Sequence, residues 1–91
     1  NILLLNNYPN PFNPDTYIPI EMKNSENITI QIFDVRGSLV ETLFNGFLDR
    51  GTHKFQWNGL GADGKEVGSG VYFFIVKSKS TFLSKKMVFA K

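Results

Sequence analysis

A chain of 91 residues is long enough for one domain but leaves no room for a second. Cysteine is absent, which excludes a disulfide-stabilised fold, and the formal net charge of +2 is too small to indicate a nucleic-acid partner. No signal peptide is visible, and no apolar run approaches the roughly 18 residues that cross a bilayer, so the sequence predicts no transmembrane segment.

Short runs of apolar or alternating residues recur along the chain, and turn residues separate them. The alternation has a period of two and is rich in β-branched and aromatic side chains, which is typical of β-strands, and no window has the apolar stripe of a helix. The runs fall at residues 2–8, 17–23, 28–34, 39–44, 52–58, 71–77 and 81–90. The spacing predicts an all-β fold, an antiparallel β-sandwich of about seven strands.

Individual runs allow more detailed predictions. Pro19 cannot donate a backbone hydrogen bond, so its strand is expected at a sheet edge or bulged at that residue. The run at 71–77 is apolar on both faces and is expected to be a central strand. We predict that the core contains Ile18, Ile20, Ile30, Ile32, Phe55, Trp57, Val71, Phe73 and Ile75.

Turn residues mark two connections most clearly. Residues 34–37 end in glycine and predict a tight turn. The connection at 58–70 holds five of the eight glycines and an Asp-Gly pair at Asp63 and Gly64. Its G-x-G-x-x-G pattern at 59–64 would suit a phosphate only at the start of a helix, whereas a strand pattern follows, so we predict a turn-rich connection.

The segment 7–16 has an unusual composition, with three prolines, three asparagines and two aromatic residues, Tyr8 and Phe12. Proline restricts both its own backbone and that of the preceding residue, and asparagine closes local turns. A solvated linker has no use for large apolar groups. We therefore expect a stiff, turned segment that Tyr8 and Phe12 attach to the core.

Catalysis needs converging titratable groups, and the sequence offers few. The single histidine, His53, has no second histidine, cysteine or carboxylate pair nearby in sequence, so a structural role on a strand is favoured over a base or metal ligand. Asp63 and Glu66 do not have the spacing of an EF-hand calcium loop. The sequence therefore predicts a protein that is not an enzyme, with no catalytic residues, no cofactor and no metal site.

Five lysines follow Val76 without any aspartate or glutamate among them, namely Lys77, Lys79, Lys85, Lys86 and Lys91. They could form a basic docking face or, alternatively, keep an exposed edge strand soluble. The aromatic residues Phe33, Tyr72 and Phe74 could form a carbohydrate-stacking platform, although in a small sandwich such residues more often belong to the core or contact a neighbouring domain.

Several motifs occur in order along the chain. They comprise the proline segment Asn7-Tyr8-Pro9-Asn10-Pro11-Phe12-Asn13-Pro14, the sequences Ile30-Gln31-Ile32-Phe33-Asp34, Trp57-Asn58-Gly59 and Ser69-Gly70-Val71-Tyr72-Phe73, and the terminal Lys85-Lys86-Met87. This order resembles the C-terminal sorting domains of the type IX secretion system and, equally, the immunoglobulin-like domain of the flagellar hook-capping protein. The resemblance spans about residues 4–91, with Asn58 where an aspartate is more usual.

The resemblance implies an immunoglobulin-like sandwich that forms a single C-terminal domain, residues 1–91, of a larger exported protein. The first residue is Asn1 and not Met, which also suggests a fragment. In that family an outer-membrane translocon recognises the domain, a surface sortase often cleaves it, and the cargo domain that precedes it reaches the cell surface by way of the periplasm. The implied recognition residues are Pro9, Asn10, Pro11, Phe12, Lys85, Lys86, Met87 and Lys91. The alternative is a spacer or carbohydrate-binding module of a secreted enzyme.

Overall fold

The computed structural model describes residues 2–91, which form seven strands and no helix. The strands are β1 (Ile2–Leu4), β2 (Thr16–Met22), β3 (Glu26–Asp34), β4 (Leu39–Leu48), β5 (Gly51–Trp57), β6 (Gly70–Lys77) and β7 (Phe82–Phe89). They lie in two antiparallel sheets with the core between them. The predicted all-β, immunoglobulin-like sandwich is confirmed.

The smaller sheet has the strand order β1-β2-β5, and the larger sheet has the order β4-β3-β6-β7. β6 pairs with β3 on one side and with β7 on the other, which confirms that the run at 71–77 is a central strand. β7 is an edge strand of the larger sheet, and its pairing with β6 has no register shift over eight residue pairs.

Alternation of side chains along the strands builds most of the core, as the sequence predicts. In β2 and β3 the isoleucines Ile18, Ile20, Ile30 and Ile32 are fully buried, and Trp57 at the end of β5 is 1% exposed. Phe55 is only partly buried and packs against Phe44 near the point where β4 and β5 approach each other.

The prediction for β6 was wrong about which face is buried. Tyr72, Phe74 and Val76 point into the core, whereas Val71, Phe73 and Ile75 are half-buried on the outer face of the larger sheet. A shift of one residue moves a whole strand's side chains to the opposite face. Because both faces of β6 are apolar, the alternation contains no information about which one meets the second sheet.

The prediction for Pro19 was also wrong, because β2 is the central strand of the smaller sheet. The neighbouring β1 has only three residues, and its last pair joins Leu4 to Ile20. At Pro19 the regular pairing on that side is interrupted: the Leu5 N–H donates to the Pro19 carbonyl over 3.2 Å, and pairing resumes only at the bridge between Tyr8 and Tyr17. The missing N–H of proline therefore faces a side of β2 that is locally unpaired.

Both predicted turns are present. The Gly37 N–H donates to the Asp34 carbonyl over 3.0 Å and closes the β3–β4 turn. In the connection between β5 and β6, the Gly64 N–H donates to the Gly61 carbonyl over 2.9 Å. The next element after this turn is the strand β6 and not a helix.

Candidate recognition site

The proline segment lies against the end of β7 and adds a short parallel pairing to its free edge. Phe12 pairs with Phe89: the Phe12 N–H donates to the Val88 carbonyl over 3.0 Å, and the Ala90 N–H donates to the Phe12 carbonyl over 2.9 Å. The Val88 N–H donates to Oδ1 of Asn10 over 2.9 Å. Residues 7–12 and 88–90 thus form one unit, which we call the clasp.

The Phe12 side chain fixes the clasp to the core. It is 2% exposed and lies between Phe89, whose ring centroid is 5.0 Å away at an interplanar angle of 18°, and Trp57, 5.5 Å away. Trp57 also contacts Tyr72 edge-on at 5.3 Å, and its Nε1 donates to the Leu60 carbonyl over 2.9 Å. The predicted attachment through Phe12 is therefore correct.

A buried polar network holds the start of the clasp. Nδ2 of Asn7 donates to Oγ1 of Thr16 over 2.9 Å, and the Thr16 hydroxyl donates to the Pro9 carbonyl over 2.9 Å. Asn7 is 4% exposed and Thr16 is fully buried. Tyr8 does not serve as a second anchor, contrary to prediction: it is 49% exposed and contacts Tyr17 at a centroid distance of 5.7 Å. The polar network performs the anchoring that the sequence assigned to Tyr8.

The four recognition residues expected at the end of the chain fall into distinct environments. Met87 is fully buried in the core. Lys85 is half-buried, and its Nζ donates to Oδ1 of Asn6 over 2.9 Å, whereas Lys86 on the opposite face of β7 is exposed. Lys91 is exposed and forms a 3.2 Å ion pair with Glu66. Of these four residues, a partner of the folded domain can reach Lys86 and Lys91 most directly.

The recognition residues expected near the start of the chain are divided in the same way. Pro9, Asn10 and Pro11 are exposed, and Phe12 is buried. The clasp places Asn10 beside Val88, two residues from Lys86. The sequence did not indicate this juxtaposition, because it joins groups 78 residues apart through a side-chain acceptor. It also did not indicate the roles of Asn7 and Thr16, because polar residues in a turn-rich segment carry no signal of burial.

The titratable groups that could suggest catalysis have structural contacts. Nε2 of His53 lies 2.7 Å from the carbonyl oxygen of Asp49, in the connection between β4 and β5. Oδ1 of Asp63 accepts the N–H of Lys65 over 3.0 Å within its turn. Across residues 2–91, no group of three or more histidine, aspartate or glutamate side chains is placed to hold a metal ion.

The aromatic platform considered for carbohydrate is not formed by Phe33, Tyr72 and Phe74, because Tyr72 and Phe74 are buried at 8% and 0% exposure. The Tyr72 hydroxyl donates to the Gly68 carbonyl over 2.6 Å. Burial, together with the nearby Asp34 carboxylate, raises the pKa of Tyr72. These two residues belong to the core.

Electrostatic effects on the fold are local. The Asp34 carboxylate accepts the N–H groups of Ser38 and Arg36, each over 2.9 Å, and its pKa is lowered mainly by the bond from Ser38. The Arg36 guanidinium lies 3.3 Å from the same carboxylate. The charge of Asp34 therefore organises the β3–β4 turn. As for membranes, residues 2–91 include no helix of the length and apolarity that spanning a bilayer requires.

Comparison with known proteins places this fold in a family. Residues 12–81 match the FlgD Ig-like domain, so the chain belongs to the FlgD Ig-like domain family. No curated protein sequence matches the chain. FlgD from P. aeruginosa has a similar structure, with a TM-score of 0.62 and 19% identity over 81% of this chain and 58% of that one.

Two further structures resemble the chain over almost its whole length. Dimeric latent PorU from Porphyromonas gingivalis has a TM-score of 0.74 and 20% identity over 98% of this chain. PorZ from the same organism, described as an essential bacterial surface component of the type IX secretion system, has a TM-score of 0.63 and 25% identity over 97% of this chain. The chain spans only 9% of PorU and 11% of PorZ. At 19–20% identity, the likenesses to FlgD and PorU concern the fold alone.

Proposed function

We propose that this chain is a non-catalytic C-terminal sorting domain, which directs a cargo protein through the type IX secretion system to the cell surface. The observation that carries the proposal is the likeness to PorZ, a component of that system, over 97% of this chain. The proposed partners are the outer-membrane translocon, the sortase and the cargo domain that precedes this one. The proposed location is secreted or at the cell surface, reached through the periplasm.

The clasp gives the proposal a defined surface. It brings the exposed residues Pro9, Asn10 and Pro11 next to the end of β7, where Lys86 is exposed. A translocon that reads the folded domain would therefore meet both sequence motifs on one side of the molecule. We propose that Phe12 and Met87 contribute to recognition indirectly, by holding this surface in shape.

A second function, that of an immunoglobulin-like spacer or carbohydrate-binding module of a secreted enzyme, is favoured by a separate observation. The family match is to the FlgD Ig-like domain, and the likeness to P. aeruginosa FlgD carries no link to type IX secretion. A spacer needs only a stable fold and a surface that contacts its neighbours.

The test is to fuse residues 1–91 to a neutral reporter, in a host with this secretion system, and to detect the reporter on the cell surface. Deleting residues 85–91 is a poor test of the signal, because it also removes the core residues Met87 and Phe89. Charge reversal in the folded domain is cleaner. Lys86→Glu is expected to reduce display partially, since an exposed charge steers association more than it holds a complex.

The matched control is Lys23→Glu, which reverses an exposed lysine next to the smaller sheet. It should leave display unchanged. A reporter that remains inside the cell with the intact domain would favour the spacer function. Equal loss of display in both lysine variants would show that the overall charge, and not this surface, governs export.

A further inference from the structure

The free edge of β7 between Phe82 and Lys86 has unpaired backbone groups. In an antiparallel ladder, alternate residues direct their N–H and C=O groups toward opposite edges of the strand. Val88 directs its N–H and C=O groups, and Ala90 directs its N–H group, toward Asn10 and Phe12. By the same alternation, Phe82, Ser84 and Lys86 face outward, away from β6. Across residues 2–91, no hydrogen bond reaches the N–H groups of Ser84 and Lys86.

The clasp demonstrates that this edge accepts an added strand, and it also explains why the pairing stops. At Asn10 a side-chain oxygen, and not a backbone carbonyl, receives the Val88 N–H. Pro9 and Pro11 have no N–H with which to continue a ladder. The stretch from Phe82 to Lys86 is therefore a direct continuation of an edge that is already used for strand addition.

The two edge strands of the larger sheet differ in regularity. The pairing of β4, at the opposite edge, with β3 shifts in register between Ile30 and Gln31 and again between Ile32 and Phe33 of β3. Such irregularities discourage strand addition. β7 pairs with β6 without a shift and contains no proline. Its edge therefore presents a regular row of donors and acceptors.

The charge around this edge selects the kind of segment that fits. Lys85 and Lys86 lie in the strand, Lys77 pairs with Phe82, and Lys79 lies in the hairpin loop. No aspartate or glutamate occurs after Glu66. A second copy of β7 would bring its own lysines against these. An acidic segment would instead place carboxylates opposite these lysines, and cross-strand pairs of opposite charge are favourable.

We propose that the edge of β7 from Phe82 to Lys86 binds an extended, acidic peptide segment of another protein by strand addition. The segment's backbone pairs with Ser84 and Lys86, its carboxylates lie beside Lys86, and its apolar side chains on the other face lie beside Leu83. This site stands independently of the proposed role in export, since it is argued from the edge itself.

The probes for testing this site are two capped synthetic octapeptides, one alternating valine with glutamate and the other alternating valine with lysine. Amide hydrogen exchange of the purified domain is measured with each. The valine–glutamate peptide is expected to slow exchange at Ser84 and Lys86, because these N–H groups gain acceptors. It is also expected to bind about tenfold more tightly than the valine–lysine peptide, because its cross-strand charge pairs with the lysines are favourable and those of the lysine peptide are not. Equal exchange at both amides with and without the valine–glutamate peptide would overturn the proposal.

Ser84→Pro removes an outward-facing N–H donor but no hydrogen bond to β6. Residue 84 is therefore a position at which an edge strand tolerates proline. The substitution is expected to lower affinity for the valine–glutamate peptide about tenfold while the domain stays folded. Ser84→Thr, which keeps the N–H, should bind as the unmodified domain does. Unchanged binding by Ser84→Pro would contradict strand addition. The proposal would also be overturned if the amides of Ser84 and Lys86 were protected by self-association of the domain and no peptide bound. Since no secretion apparatus is present in this experiment, its failure is distinct from a failure of export.

Discussion

At the scale of single residues, Trp57 is the side chain on which most of the core depends. It is 1% exposed and contacts Phe12, Tyr72 and Phe89, each from a different part of the chain. Because its neighbours come from two strands of the larger sheet and from the clasp, no single segment can move to fill the space it occupies. The cost of removing it should therefore be the full cost of deleting a buried aromatic side chain.

We expect Trp57→Ala to reduce the free energy of unfolding by about 3–5 kcal/mol, a large share of what a domain of this size has. Urea denaturation monitored by circular dichroism measures the change. Trp57→Phe is the control, since it keeps a ring but loses the bond from Nε1 to Leu60, and it should cost clearly less. A loss below about 1 kcal/mol for Trp57→Ala would contradict this packing.

Gly59 is the glycine whose replacement the structure tolerates least. Its φ is +76°, and an added Cβ would lie 3.1 Å from Cζ of Phe89 and 3.4 Å from the carbonyl oxygen of Pro14. Gly64 has a similar φ of +79° but open space around it. The two positions therefore share the backbone cost and differ only in the clash.

Gly64→Ala is expected to lower stability by about 1–2 kcal/mol, the cost of a side chain in left-handed backbone. Gly59→Ala should cost more, because the Phe89 ring of the clasp must also move. Thermal unfolding of the two variants side by side measures the difference. Equal melting temperatures would show that the Phe89 ring moves aside without any loss of stability.

At the scale of structural elements, the clasp is the unit that relates the start of the chain to its end. It joins the proline segment to β7 through the pairing of Phe12 with Phe89 and through the Asn10 side chain. Its stability is expected to depend on Phe12, since the exposed residues Pro9 and Pro11 contribute no backbone donors.

Phe12→Ala is predicted to release the clasp while the two sheets remain paired. Amide exchange at Ala90, whose N–H is bonded to the Phe12 carbonyl, should accelerate strongly, whereas exchange at Ile30 in the centre of the larger sheet should change much less. Two-dimensional NMR of the exchanging amides measures both in one sample. Equal acceleration at Ala90 and Ile30 would show that the clasp does not open separately from the rest of the domain.

At the scale of the whole molecule, the last strand is part of the core and not an appended signal. Met87 and Phe89 are 0% and 1% exposed, and β7 pairs along its full length with β6. Two of the five strand pairings, β2 with β5 and β3 with β6, join strands that are not consecutive in the chain. β7 itself supplies core side chains and the whole of one pairing with β6, so its loss exposes the core.

Removal of residues 85–91 is therefore expected to unfold the domain, because it takes away two buried side chains and five of the eight residues of β7. The loss of dispersed amide resonances in an NMR spectrum would report it. Removal of Lys91 alone is the control, since its surface ion pair with Glu66 contributes little. A cooperative unfolding transition in the longer truncation would contradict this prediction.

Local patterns in the sequence were enough to predict the structural elements of this protein. Alternation of apolar and polar residues located the strands. For β2 and β3 it also identified the buried face, because the isoleucines of each strand lie on one face only. Turn chemistry located the bend at Asp34 to Gly37. The order of short motifs identified an immunoglobulin-like fold. Each of these properties depends on residues close together in the chain, where local physical rules apply.

The way in which those elements combine became clear from the three-dimensional packing. It selected Tyr72, Phe74 and Val76 as the buried face of β6, although both faces are apolar. It allowed Pro19 in a central strand, because β1 ends beside it. It also joined the proline segment to β7, since the contact of Asn10 with Val88 spans 78 residues and leaves no periodic pattern in the sequence. These outcomes depend on which surfaces meet in space, which local alternation does not record.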